Sequence, residues 1–250
     1  MRSAAGDGAA ADEPRPGLPA GGPEAEDGPV RVGVLSLQGD FERHARTLET
    51  LGVEPVRVTA PPDLAGLAAL VIPGGESTTM LRLLAATGLR APLETFVRGH
   101  PVLGTCAGLI LLARDSGPLP EPTLGVLDVV VERNAYGRQI DSFSDAVEAV
   151  PLGGSFPGVF IRAPRIRRVG PGVSVVAWRV GGGAGSSEPV GVRQGGTVGL
   201  CFHPELTGDL RLHRWFLEEV AMLSLPAGGP AGPGPGGGEP GERPVAGGAR

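Results

Sequence analysis

The sequence contains no lysine; all 22 of its basic side chains are arginine, set against 27 acidic ones for a formal net charge of −5. An acidic chain with no basic patch lacks the electrostatic footprint of a DNA- or RNA-binding protein, so nucleic acid is not expected as a partner. Cysteine is nearly as scarce, with only Cys106 and Cys201. Two cysteines could pair in a secreted protein, but the N-terminus lacks the apolar run of a signal peptide, and a reducing, cytoplasmic setting is expected instead. Apolar runs stay well short of the roughly 18 residues needed to cross a bilayer, so no membrane association is expected. No His, Cys or carboxylate spacing suggests a metal site, and no cofactor is implied. Bulky apolar residues are almost absent from both ends. Residues 1–29 contain a single leucine, Leu18, and residues 226–250 are largely Gly, Pro and Ala. Neither end can bury enough apolar surface to offset ordering entropy, so both read as disordered tails around one domain spanning 30–225.

Within that domain, strand-like and helix-like runs alternate. Val30–Leu37 reads as a strand, and Asp40–Leu51 as a helix with Phe41, Ala45, Leu48 and Leu51 on one face. Val53–Val58 and Ala68–Ile72 read as further strands, Met80–Ala86 and Pro92–Arg98 as helical, and Pro101–Gly104 as a short buried strand. Leu124–Glu132, Val159–Arg162, Val173–Val180, Val190–Arg193 and Val198–Phe202 continue as strands, with a loop at Gly181–Ser187 and a closing helix at Leu210–Leu223 whose Trp215 and Phe216 belong in the core. The alternation predicts an α/β fold: a single three-layer domain whose mostly parallel central sheet is flanked by helices, with an antiparallel extension formed by the closely spaced later strands.

The stretch that carries chemistry is Pro101–Arg114, PVLGTCAGLILLAR. It sets a cysteine between two glycines where an apolar strand gives way to an apolar helix, a nucleophile-elbow pattern with Cys106 in place of serine. Gly104 and Gly108 remove side chains where strand and helix pack closest, and the helix start aims free N–H groups at the sulfur. A thiol attacking a carbonyl needs a base, an orienting partner for that base and donors for the oxyanion. His203 follows an apolar strand in Cys-Phe-His-Pro-Glu, and Glu205, two residues on, lies on the same side in extended geometry, able to fix the imidazole tautomer. Pro73–Thr79, PGGESTT, ends the third strand with two glycines before a helix start, the position where open α/β sheets collect ligands. Cys201 reads as core, and Asp40, Glu42, His44 and His100 as surface.

G-T-C-A-G with a downstream H-P-E resembles the class I, or triad, glutamine amidotransferases. Within that class, the motifs L-Q-G (37–39), P-G-G-E-S-T-T-M (73–80), V-V-E-R-N-A-Y-G-R-Q (130–139), F-I-R-A-P (160–164) and F-H-P-E-L-T (202–207) are similar to those of the glutaminase subunits of pyridoxal 5′-phosphate synthases. The resemblance runs from about Val30 to Leu223. It implies hydrolysis of L-glutamine through a cysteinyl thioester, with Cys106 as nucleophile, His203 as base and then acid, and Glu205 as its orienter. The oxyanion hole would come from Ala107 and the Gly74-Gly75 turn. Glutamine would be bound by Gly75, Glu76, Ser77, Arg133, Ile161 and Arg162. The implied partner is a (β/α)8-barrel synthase subunit in a large hetero-oligomer, which takes the ammonia; another ammonia acceptor is the alternative. A related cysteine peptidase or thioester hydrolase would also use Cys and His, but the Gly-Gly-Glu-Ser loop and two arginines suit a free zwitterion better than a peptide. A non-catalytic module of the same fold would have no need of Cys106, His203 and Glu205 together.

Overall fold

The computed structural model describes residues 28–39, 41–135, 142–180 and 187–226. The expected tails thus lie outside the described residues except at Gly28, Pro29 and Pro226, as do Asp40, Tyr136–Gln139 and residues 181–186 of the expected loop.

The chain runs β1 (Arg31–Leu35), α1 (Phe41–Thr50), β2 (Glu54–Val58), β3 (Ala69–Ile72), α2 (Ser77–Ala86), α3 (Arg90–Gly99), β4 (Val102–Thr105) and α4 (Ala107–Leu112). It continues through β5 (Ala113–Asp115), β6 (Leu127–Glu132), β7 (Ser142–Ala149), β8 (Gly154–Ile161), β9 (Arg165–Val169), β10 (Ser174–Val180), β11 (Ser187–Gln194), β12 (Thr197–Leu200) and α5 (Arg211–Trp215), the last prolonged by a wider turn over Phe216–Val220. A nine-stranded sheet has the order β2-β1-β3-β4-β12-β11-β10-β7-β8. Its first five strands are mutually parallel and the rest antiparallel. The expected parallel sheet with an antiparallel extension is therefore present.

Sequence character explains where the two halves meet. β3, ALVI, and β4, VLGT, are buried at every position, as strands covered by helices on both faces must be. Each leucine or isoleucine buried there contributes about 1.5–3 kcal/mol. β7 and β8 alternate exposed and covered positions, so only one face meets the core. Because β12 pairs with β4 while belonging by connection to the antiparallel half, the two most distant parts of the functional sequence end side by side. Trp215 and Phe216 are buried, and so is Cys201.

Several boundaries differ from the sequence reading. Ala113 leaves the helix and starts β5, which joins β6 and β9 in a second, three-stranded sheet. β9 escaped the hydrophobic pattern because three of its five residues are arginine. Ion pairs of Arg165 with Glu188 and Arg167 with Glu132 supply what apolar burial does not. β7, SFSDAVEA, was invisible for the same reason, its polar face being solvated. α2 begins at Ser77 rather than Met80, because Glu76 caps it. The last parallel strand stops at Leu200, so Cys201 and Phe202 form a connection before His203. Glu205 sits in a 3-10 turn, Pro204–Leu206, and not in extended chain.

Candidate active site

Cys106 occupies the turn between β4 and α4 with φ 50° and ψ −103°, a conformation that costs a non-glycine residue about 1–3 kcal/mol. Surrounding packing leaves the chain no alternative. A Cβ on Gly108 would stand 2.0 Å from the Ile72 carbonyl oxygen of β3, and one on Gly104 would stand 2.7 Å from Gly108 C, so this crossing admits only glycine. The Cys106 N–H donates to the Leu200 carbonyl at 2.8 Å, tying the elbow to β12, and its thiol points toward the Ile161 carbonyl at 3.6 Å.

The register Leu200↔Thr105 delivers the chain leaving β12 directly beside Cys106. His203 is fixed there by its N–H to the Val159 carbonyl, 2.8 Å, which anchors it to β8. Its Nδ1–H donates to Glu205 Oε1 at 2.7 Å, with both residues buried. Nε2, on the Cys106 side of the ring, makes no aligned hydrogen bond. Burial pulls the His203 pKa down, but the Cys106 sulfur and the Glu205 carboxylate outweigh it and lift the value to about 10. Burial pushes the Glu205 carboxyl up; His44 and His203 together hold it well below the ordinary carboxylate range.

His44 overturns its expected surface position. It is fully buried, its Nε2 lies 3.3 Å from Glu205 Oε2, and its Nδ1 lies 3.0 Å from Nε2 of His213, a second buried imidazole that the sequence reading passed over. The signal was present in the helical spacing, since position 44 shares the inward face of α1 with Phe41, Ala45 and Leu48. A histidine on that stripe faces the core whatever its polarity. Glu42 and His100 are exposed, as expected.

The Pro73–Thr79 loop borders the same cluster. Gly74 packs against the imidazole so closely that a Cβ there would lie 2.3 Å from His203 Cε1. On its far side, the Gly74 carbonyl oxygen abuts Gly39 of the β1–α1 turn, where φ is +102° and a Cβ would fall 1.8 Å away. A trans peptide directs its N–H opposite its carbonyl, so the Gly75 N–H points away from Gly39. Both carboxylate oxygens of Glu76 accept hydrogen bonds, Oε1 from Thr78 N–H and Oε2 from Thr79 N–H and hydroxyl. Burial pushes the Glu76 pKa up, but these bonds together outweigh it and bring it to about 2. Its side chain is thus spent on capping α2, which leaves backbone groups to face a ligand. Ser77 is buried in the first turn of that helix.

Ala107 opens α4, where first-turn N–H groups have no intrahelical acceptor. Ile161 ends β8 and Arg162 follows with φ 43°, so the residue pair wraps the edge of the site next to the thiol. Arg133, just past β6, is joined to the Pro118 carbonyl at 2.6 Å and not to the cluster. Direct contacts therefore unite Cys106, His203, Glu205, Gly74 and Ile161, and chain continuity adds Gly75, Ala107 and Arg162. Among the described residues there is no group of His, Cys, Asp and Glu placed to hold a metal, and no helix long and apolar enough to cross a membrane. A thiol, an imidazole and an ionised carboxylate in this sequence of contacts can perform nucleophilic acyl transfer.

The chain is similar to known proteins along most of its length. A subunit named pyridoxal 5′-phosphate synthase subunit PdxT in Desulforudis audaxviator is 47% identical over 194 residues, covering 76% of this chain and 99% of that relative. The subunit of the same name in Thermus thermophilus is 52% identical over 190 residues, 75% of this chain and 96% of its own. A crystal structure of a glutamine amidotransferase superposes with a TM-score of 0.70 at 49% identity, covering 77% of this chain and 99% of that one. The model of the SNO glutamine amidotransferase family matches residues 34–222, from β1 to beyond α5, and the chain belongs to that family.

Proposed function

We propose that this chain is the glutaminase subunit of a pyridoxal 5′-phosphate synthase: it hydrolyses L-glutamine to L-glutamate and ammonia, and the ammonia passes to a synthase partner. The observation that carries the reading is the buried His203–Glu205 pair beside an elbow cysteine, in a chain about half identical to relatives named as subunits of that synthase over nearly their whole length. The catalytic domain is residues 30–225, the remaining ends being tails, and the setting is the cytoplasm. The partner is a (β/α)8 barrel assembled with this chain in a large hetero-oligomer.

Chemistry follows from the contacts. The proton given up by Cys106 is held on His203 Nε2, whose pKa is lifted to about 10, and the sulfur attacks the glutamine amide carbon. Negative charge develops on the amide oxygen and is met by the N–H groups of Ala107 and the Gly74-Gly75 turn, each such donor worth roughly a hundredfold or more in turnover. Collapse of the intermediate breaks the C–N bond, His203 returns its proton to the departing nitrogen, and ammonia leaves behind a thioester. Water, deprotonated by His203, then attacks the thioester carbon; expulsion of the sulfur, reprotonated by His203, yields glutamate. Glu205 keeps the imidazole in the Nδ1–H tautomer throughout, so that Nε2 is the nitrogen that exchanges protons. Gly75, Glu76 and Ser77, through their backbone groups, with Ile161 and Arg162, hold the α-amino and α-carboxylate groups of glutamine, and Arg133 joins them at the carboxylate by exchanging the Pro118 carbonyl for it.

Ammonia release from L-glutamine, measured on the full chain with and without the synthase subunit, tests the assignment. Turnover should rise when the partner is present and vanish in Cys106→Ala, which keeps its fold. Normal hydrolysis by that variant would reject Cys106 as the nucleophile.

A further inference from the structure

Behind the triad lies a buried polar pair that thioester chemistry alone does not require. His44 of α1 and His213 of α5 are both essentially inaccessible and meet at 3.0 Å between Nδ1 and Nε2. An imidazole in a core costs about 1–3 kcal/mol for each polar atom left without a partner, a cost that leucine would avoid. On its other side, His44 Nε2 lies 3.3 Å from Glu205 Oε2 and 3.4 Å from the hydroxyl of Thr105, the residue before Cys106.

The protons in this chain can be assigned from acceptor capacity. Glu205 is ionised, and a carboxylate has no hydrogen to give, so the hydrogen in its 3.3 Å contact with His44, a close polar contact but not an aligned hydrogen bond, belongs to His44 Nε2. Burial above all brings the His213 pKa to about 3, so its ring is neutral, and its single N–H sits on Nε2, donating to His44 Nδ1. His213 Nδ1 is then a bare lone pair in the core, where it has no partner. The opposite tautomer would bury an orphan N–H, which folded proteins tolerate less well than an under-used acceptor. Donors therefore run in one direction, from His213 to His44 to Glu205, and from His203 to Glu205 on the other oxygen.

We propose that His44 is a positioning residue for glutamine hydrolysis: its Nε2–H holds the second carboxylate oxygen of Glu205, and His213 fixes the His44 nitrogen that carries this proton. The proposal rests on the triad assigned above. The terminal torsion of glutamate is broad and roughly two-fold, so a carboxylate held through one oxygen can swing. Held through both, Glu205 keeps Oε1 at 2.7 Å from His203 Nδ1 and Nε2 aimed at the sulfur. The Thr105 contact ties His44 to the elbow strand as well, so base and nucleophile share one support.

The test uses the full chain with its synthase subunit and L-glutamine. His44→Leu/His213→Leu replaces the polar pair by an apolar one but leaves Glu205 Oε2 without its His44 contact, so some loss of melting temperature is expected and the kinetics are read below the unfolding transition. Its kcat should nevertheless fall about ten- to a hundredfold at unchanged KM, the range typical of lost outer partners of a reacting centre. His44→Gln, whose amide N–H can reach the Nε2 position, should recover to within a few-fold of wild type. The downfield proton resonance of His203 Nδ1–H should move in the leucine double variant and stay in the glutamine one. Wild-type kcat and an unmoved resonance in the double variant would overturn the positioning role. A wild-type protein that releases no ammonia from glutamine, or a Cys106→Ala variant that still does, would instead overturn the assignment on which it rests.

Discussion

Gly74→Ala isolates the most demanding contact in the site. Gly74 is not at positive φ, so alanine meets no backbone penalty there and the consequence comes from packing alone. The new Cβ would lie 2.3 Å from His203 Cε1, 3.1 Å from Nδ1 and 3.3 Å from Nε2. Carbon atoms rest at about 3.5–4.0 Å, so ring and loop must separate by a little over ~1 Å. If the ring moves, the 2.7 Å bond to Glu205 is broken; if the loop moves, the Gly74-Gly75 peptide leaves its place beside the triad. A displacement of about 1 Å at a reacting group costs on the order of a hundredfold in turnover, or about 2.7 kcal/mol of activation free energy. Overpacking should cost a further 1–3 kcal/mol of stability, roughly, which a domain of this size tolerates. The assay is ammonia release from glutamine in the presence of the synthase subunit, with thermal unfolding in parallel. Gly99→Ala serves as control, because nothing lies within 4 Å of its Cβ position. A folded Gly74→Ala protein with kcat within a few-fold of wild type would refute the reasoning, since it would mean that the site absorbs the displacement without losing its alignment.

Gly108→Ala should act on the fold rather than on the chemistry alone: its Cβ would stand 2.0 Å from the Ile72 carbonyl oxygen, a backbone atom that cannot rotate away. A loss of about 3 kcal/mol or more is expected. At roughly 2–4 °C per kcal/mol, this lowers the melting temperature by about 6–12 °C or more, readable by calorimetry. Stability should also depend on pH with opposite signs on either side of about 6.5, the ordinary histidine value. His213 is depressed to about 3, so the unfolded chain takes up a proton that the folded one refuses, and stability falls as pH drops from 6.5 toward 3. His203 is raised to about 10, so its contribution is complete below 6.5 and is lost as pH rises toward 10. Each window carries up to about 1.4 kcal/mol per pH unit, so urea unfolding across this range should show a maximum between them; His213→Leu should flatten the acid limb between about 6.5 and 4.5, below which the depressed Glu76 and Glu205 carboxyls still lower stability.

Local chemistry determined much of this protein at the level of sequence. The parallel half was legible because β3 is a continuous apolar run and β1 and β4 are largely apolar, all separated by turn residues and amphipathic helices. Gly104, Cys106 and Gly108 announced a crowded strand-to-helix turn because only a missing side chain permits that approach. Tertiary structure decided the rest, since it depends on partners remote in the chain. β7 and β9 carry polar or arginine-rich faces, and become strands only because β8, β10 and β6 supply ladder partners and Glu132 and Glu188 supply counter-charges. Glu76 looked free to meet a ligand until the start of α2 claimed both its oxygens. His44 read as a surface residue from its polarity, although its helical position already placed it inward. What no pattern could reveal is that Glu205 and His213, more than 160 residues away, would fold against it, because a buried polar side chain is defined by the partners that satisfy it and only the fold brings them together.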